Sequence, residues 1–384
     1  MTAYAALRGI REVDSTGSIA LFSEESDMPY KRPPLTKKLW AGKPLASVWN
    51  KTEDLEVEMC LGRTVAAIDP SNKLVTDALG NQYTFDKLLL ATGGTPRRLP
   101  FGGDDIIYYR TLQDYLRLRA LTEHGERFAV LGGGFIGSEI AAALVMNGKK
   151  VVMVIPEAGI GARLYPPDLV EFLNSFYTEK GVELITGVLA SGLERRGDVL
   201  TVTTRDGRAI PVDGMIAGIG IEPNVRLARQ AGIEIGETGG IIVDEMLRAG
   251  HPDVFAAGDV AEFHDPLLGT KRRVEHEDNA NTMGKAAGRN MAGAHEEYQH
   301  SPFFYSDLFE LGYEAVGELD PRLETVADWK EPYREGVVYY LRDGRVRGVL
   351  LWNVWDQVDA ARRLIAEPGP FRAEDLKGRL PADA

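Results

Sequence analysis

Short apolar runs closed by glycine loops alternate along this chain with stretches of helical spacing, a pattern that predicts an α/β protein. In residues 1–22, Ala3, Ala5–Leu7 and Ile10 recur at helical spacing, Ser15-Thr16-Gly17 ends the run, and Ile19–Phe22 reads as a short strand. The string PYKRPPLTKKLW follows, a proline-broken loop carrying local positive charge. Cys60–Ile68 and Lys73–Phe85 predict strands around a Pro70-Ser71-Asn72 turn, with a second turn at Gly80-Asn81. Lys87–Ala91 is an apolar run stopped by Thr92-Gly93-Gly94, as expected of a buried parallel strand ending in a ligand loop.

From Phe128 the pattern restarts: strand Phe128–Leu131, a glycine turn, helix Ile136–Asn147, Gly148 as a stop, and strand Lys150–Ile155, together a βαβ unit. A helix near Asp168–Lys180, strands near Glu183–Thr186 and Leu200–Thr204, and an apolar strand Gly214–Gly218 follow. Residues Gly240–Asp259 return to strand and glycine loop, and Asn279–Met291 reads as a helix. In the tail, Gly336–Leu341 and Arg345–Trp352 flank Asp343-Gly344 as a hairpin, and Asp356–Ile365 follows as a helix.

Composition sharpens this reading. Forty-two glycines in 384 residues exceed the usual share of about 7% without any repeat, which places them in tight turns and close backbone approaches. A net charge of −13 argues against binding nucleic acid. No apolar stretch approaches the roughly 20 residues of a membrane span, and no signal peptide is visible, so a cytoplasmic location is expected. Cys60 is the only cysteine, which excludes an internal disulfide and a two-cysteine redox centre. No metal site is expected.

The sharpest motif is Gly132-Gly133-Gly134-Phe135-Ile136-Gly137-Ser138-Glu139, where Gly132, Gly134 and Gly137 keep the G-x-G-x-x-G spacing between strand and helix. Gly132 permits the tight turn, Gly134 lets the backbone approach a pyrophosphate at the helix N-terminus, and Gly137 lets helix and strand pack closely. Glu157, twenty residues on, would accept from an adenine ribose and repel a 2′-phosphate, favouring NADH; Arg163 nearby is the group that could instead hold that phosphate. Glu139 lies one helical turn beyond Phe135 in an otherwise apolar segment, where an unpaired acid is costly, and a Lys37–Glu139 pair across the domain interface would remove that cost.

Three more segments, Phe22-Ser23-Glu24, Leu90-Ala91-Thr92-Gly93-Gly94-Thr95-Pro96-Arg97 and Val254-Phe255-Ala256-Ala257-Gly258-Asp259, resemble the FAD-binding segments of pyridine-nucleotide flavoprotein reductases. With PYKRPPLTKKLW, GIEPN, GDVAEFHD, RRVEHED, GYEAVGELD and LLWNVWD, the chain resembles the branch containing apoptosis-inducing factors and NADH-dependent ferredoxin reductases. That resemblance implies two Rossmann-like nucleotide-binding domains, for FAD and NAD(H), in three-layer α/β form, plus a C-terminal α+β interface domain. The implied boundaries are 1–100 with 222–301 for FAD, 101–221 for NAD(H), and 302–384 for the tail. For FAD it implies Glu24 on the ribose, Arg32 and Arg110 along the dinucleotide, Lys37 at the reactive edge of the isoalloxazine, and Asp259 on the ribityl chain. Val65, Thr92, Gly93 and Gly258 would line the same cofactor, the helix after His276 would point at its pyrimidine side, and Tyr305, where relatives often carry tryptophan, would stack on it. For NADH it implies Phe135, Ile136 and Glu139 along the nicotinamide channel, bordered by Gly220, Glu275 and His276.

The reaction implied is hydride transfer from NADH to flavin N5, with Lys37 and Glu139 as the catalytic pair. The missing second cysteine sends the electrons on to an external acceptor, a ferredoxin or quinone. The rivals are an NADH oxidase with a small acceptor, a non-catalytic NADH-responsive sensor whose reduction changes homodimer contacts, and an inactive truncation product. Against the family, Met1–Ala6 aligns just after the first glycine fingerprint, which implies that Met1 is internal and the working protein begins upstream.

Overall fold

Val-, Ile- and Leu-rich runs that end in glycine loops form the parallel strands of the computed structural model, which describes residues 1–197 and 199–381. The chain divides into two units, Met1–Lys31, Ala46–Thr95 and Glu222–Phe303 in one, and Arg32–Leu45, Pro96–Ile221 and Phe304–Ala384 in the other.

In the first unit, helix Thr2–Val13 crosses helix Glu277–Met291 at backbone contact: a Cβ on Gly9 would sit 2.1 Å from the Lys285 carbonyl oxygen, and one on Gly288 2.1 Å from that of Ala6. Strand Ile19–Phe22 runs parallel to Val57–Cys60, and Leu88–Leu90 runs parallel to Val254–Ala256 in a separate ladder. Leu90, Ile241, Leu247, Val254, Val260 and Met283 form the buried core. The strand expected over Cys60–Ile68 is two strands, Val57–Cys60 and Val65–Asp69. Between them Gly62 N–H donates to Glu25 O and Arg63 N–H to Ser23 O, which turns the chain. The run Lys73–Phe85 is likewise a hairpin, Leu74–Asp77 with Gln82–Thr84. Its turn is tied by the Asp77 carboxylate, which accepts from Asn81 Nδ2 and the Leu79 and Asn81 amides; these donors hold its carboxyl below the usual carboxylate range.

In the second unit, five parallel strands stand in the order Val182–Thr186, Lys150–Ile155, Arg127–Leu131, Gly214–Ala217, Ile106–Tyr108. Both neighbours of Arg127–Leu131 come later in sequence, so the order reverses beside it, and a crevice opens at the carboxyl ends of such strands. Helix Leu112–Thr122, which the hydrophobic pattern alone does not announce, opens on a capping box between Thr111 and Asp114. The tail is an antiparallel sheet in the order Phe303–Leu308, Leu311–Gly317, Arg345–Trp352, Glu335–Arg342, Glu324–Glu331. Its expected hairpin closes through Asp343 and Gly344 at φ +52° and +72°, the left-handed pair that a two-residue turn needs. Among the described residues no helix is long and apolar enough to cross a membrane.

Candidate functional site

The glycine fingerprint folds as its spacing requires, each glycine for a different reason. Gly132 turns the chain at φ +93°, its N–H donating to Val154 O, and a Cβ there would meet the Gly218 carbonyl oxygen at 2.4 Å. Gly137 packs against that turn so closely that a Cβ would lie 2.0 Å from Gly132 O. At Gly134, exposed at the N-cap of helix Phe135–Met146, a Cβ would meet nothing within 4 Å, and no side chain caps the helix. The result is an open helix N-terminus at the topological switch point, beside the loop from Gly218 to the exposed Gly220; this is a cradle with the shape and polarity for a pyrophosphate. Ile136 is half-buried in the first turn, and Phe135 packs edge-on against Phe304 at 5.8 Å. Glu157 follows strand Lys150–Ile155 and is clasped by Arg163, whose Nε donates to Glu157 Oε1 at 2.7 Å. Arg163, four-fifths exposed, thus belongs to the same polar pair as the acid that it was set against.

A second cluster forms around Glu139. Its side chain is 6% exposed, with Thr36 Oγ1 donating to Oε2 at 2.5 Å, Ser306 Oγ donating to Oε1 at 2.6 Å, and Lys37 Nζ 3.0 Å from Oε1. The expected Lys37–Glu139 pair is present, formed within one unit because Arg32–Leu45 gathers with helix Phe135–Met146. That loop is fixed at two buried side chains: Leu35 O accepts from Trp40 Nε1 and Tyr109 Oη, and Asn147 Nδ2 donates to Trp40 O. Arg32 reaches back to donate to Arg110 O at 2.7 Å, which brings together two residues assigned to one dinucleotide. Lys37 also stands 3.2 Å from Asp307 Oδ2 and 4.5 Å above the Tyr305 ring. Its Nζ is buried and meets neither acid in hydrogen-bond geometry, so both contacts are ion pairs. Burial pushes the hydroxyls of Tyr165, Tyr177 and Tyr313 above the usual phenol range, with the Glu139 charge adding to the shift, so the surrounding tyrosines stay neutral.

In the other unit five of the residues assigned to FAD lie at the carboxyl ends of parallel strands. Exposed Glu24 follows Ile19–Phe22, Thr92 and Gly93 follow Leu88–Leu90, and Gly258 and Asp259 follow Val254–Ala256. Asn224 straps the glycine loop: its side chain donates to Thr92 O and accepts from Thr95 Oγ1, and its own N–H donates to Gly93 O. Val65 O accepts from Arg226, and Arg273 donates to Asp259 O while pairing with Glu275 at 2.5 Å. His276 is the N-cap of helix Glu277–Met291 with no side-chain cap bond of its own. The strand-end acids and the strapped loop suit a dinucleotide. Burial, and then Glu58, push the Cys60 thiol up, away from the reactive thiolate form.

Thr36, Ser306, Asp307 and Asn224 are the contributors that spacing alone did not single out. Each sits inside a string already conspicuous for other reasons, Thr36 in PPLTKK, Ser306 and Asp307 in FFYSD, Asn224 in GIEPN, but their roles depend on side-chain contacts more than 100 residues apart in sequence or on burial.

With this geometry in hand, comparison with known proteins is direct. The family profile described as pyridine nucleotide-disulphide oxidoreductase matches residues 1–284, and that of the apoptosis-inducing factor C-terminal region matches 287–332 and 327–367. The chain is 36% identical to apoptosis-inducing factor 1, mitochondrial, of Dictyostelium discoideum, over 94% of this chain and 76% of that protein. It is 30% identical to putidaredoxin reductase of Pseudomonas putida, over 94% and 89%. Among solved structures, the covalent putidaredoxin reductase–putidaredoxin complex superposes with a TM-score of 0.90 at 29% identity, covering 97% of this chain and 92% of that one.

Proposed function

Because the chain belongs to the pyridine nucleotide-disulphide oxidoreductase family, in its apoptosis-inducing factor and ferredoxin reductase branch, and is an FAD-dependent NAD(P)H oxidoreductase, we propose that it takes hydride from NADH and delivers electrons to a ferredoxin-type protein. The observation that carries this reading is the buried Lys37–Glu139 pair, held by Thr36 and Ser306. When bound, FAD supplies a hydride-accepting N5 and the capacity to give up electrons singly. Lys37 would stand at that edge of the isoalloxazine and would stabilise the negative charge that develops on reduction. Glu139 keeps Lys37 in place, and Phe135 and Ile136 form the wall along which the nicotinamide lies.

The open turn at Gly134 receives the NADH pyrophosphate, and Gly220 and Glu275 border the nucleotide. The free oxygen of Glu157 accepts from the adenine ribose; with Arg163 already committed to Glu157, NADH is the preferred donor. The resemblance divides the chain into an FAD domain, an NAD(H) domain and a C-terminal domain, and assigns Glu24, Arg32, Arg110, Val65, Thr92, Gly93, Gly258, Asp259, His276 and Tyr305 to FAD. A chain with one cysteine has no dithiol to receive electrons from the flavin, so they leave the protein directly. The likeness to a reductase captured in covalent complex with putidaredoxin supports a small carrier protein as the acceptor.

Steady-state turnover under NADH separates the readings. Reduction of a [2Fe–2S] ferredoxin from a panel should outrun reduction of dioxygen or quinone. Equal or faster use of a small acceptor makes the protein an oxidase or quinone reductase, and a lasting reduced flavin–NAD complex without turnover makes it a sensor.

A further inference from the structure

We propose that Asp307 is the adjustable partner of Lys37, a positioning residue that shares the Lys37 charge with Glu139 and thereby sets how readily the flavin is reduced. The inference rests on the assignment of Lys37 to the reactive edge of the isoalloxazine, and goes beyond it in naming what controls that lysine.

The two acids differ in every physical respect that matters. Glu139 is enclosed: it is buried, and both of its oxygens accept from hydroxyls that are themselves buried, Thr36 and Ser306. Asp307 is 53% exposed, yet its Oδ2 is only 3.2 Å from the same ammonium. Strand alternation accounts for the arrangement: Tyr305 and Asp307 share one face of Phe303–Leu308 and both meet Lys37, while Ser306 turns to the buried face and meets Glu139. Lys37 Nζ has hydrogen-bond geometry toward neither carboxylate, as expected of a cation held between two competing charges.

A carboxylate in contact with an ammonium cancels part of its field. The cancellation by Glu139 is insulated from solvent, whereas that by Asp307 is exposed to water, salt and any surface that docks over the strand. Reduction places negative charge near Lys37, so whatever weakens the Lys37–Asp307 contact favours the reduced flavin. Asp307 is therefore the route by which ionic conditions reach the flavin potential.

The test uses FAD-loaded protein and reads the flavin midpoint potential against a reference dye couple. Asp307→Asn should shift the equilibrium about two- to five-fold toward reduced flavin, the range of an exposed pair, and Asp307→Glu should restore it. Raising salt from about 0.05 M to about 1 M should move the unmodified protein in the same direction and leave Asp307→Asn unmoved. If Asp307→Asn keeps the original potential and salt response while NADH still bleaches the flavin, the role of Asp307 is overturned and the reductase reading stands. If the protein carries no flavin, or NADH does not bleach it, both are overturned.

Discussion

Lys37→Met protein should retain FAD but be reduced by NADH about 10²- to 10³-fold more slowly than the unmodified protein, the loss expected when one preorganised donor to a developing negative charge is removed. It should also unfold more readily. Glu139 is buried, and without the ammonium 3.0 Å away only the Thr36 and Ser306 hydroxyls face its charge. Removing one partner of a buried ion pair costs about 3–5 kcal/mol, because the other is left uncompensated. Adding Glu139→Gln removes that stranded charge, so the double variant should recover most of the stability and none of the rate. Stopped-flow reduction and thermal unfolding separate the two effects. A Lys37→Met protein that is reduced at the original rate would show that the lysine is structural only.

The second large effect contrasts two glycines three residues apart. Gly137→Val places a Cβ 2.0 Å from the carbonyl oxygen of Gly132, a backbone atom that cannot step aside, and should prevent the unit from folding stably. At Gly134 an added Cβ meets nothing within 4 Å, and the φ of −82° at that position suits any L-residue, so in Gly134→Val folding and FAD content should be unchanged. What the valine fills is the space over the helix N-terminus. The loss of charge-assisted hydrogen bonds to the pyrophosphate, about 1.5–3 kcal/mol, should raise the Kd for NADH roughly ten- to hundred-fold. Equilibrium NADH binding followed beside the melting temperature distinguishes the two variants; unchanged affinity in Gly134→Val would remove the phosphate from that turn.

The contrast also marks what the sequence made legible. Glycine spacing between a strand and a helix is a local constraint, so the fingerprint and its two flanking strands follow from residues 127–155 alone, whereas the crevice beside them also needs Gly214–Ala217 on the other side. The hairpin at Asp343-Gly344 is legible for the same reason. Helix Leu112–Thr122 escapes a hydrophobic reading because Leu116 and Leu121 are exposed while Tyr115 and Thr122 are buried; its signal is polar, the Thr111–Asp114 box. Strands Phe303–Leu308 and Glu324–Glu331 escape it too: they are the two edges of the sheet, each paired only with the next strand in sequence, Leu311–Gly317 and Glu335–Arg342, and their own pattern does not stand out. In the site, the cost of an acid among Ile, Ala and Leu was enough to require a partner for Glu139. Chemistry dictated a cation, and resemblance supplied Lys37. The hydroxyls of Thr36 and Ser306 were beyond reach, because nothing in one sequence says which of its many serines and threonines is turned inward toward a residue 103 or 167 positions away.

An anaerobic titration of the FAD-loaded protein with NADH, followed by flavin absorbance and repeated with NADPH, tests the central claim most directly. The account predicts stoichiometric bleaching of the oxidised flavin by NADH and weaker, slower bleaching by NADPH; a flavin that stays oxidised under excess NADH would contradict it.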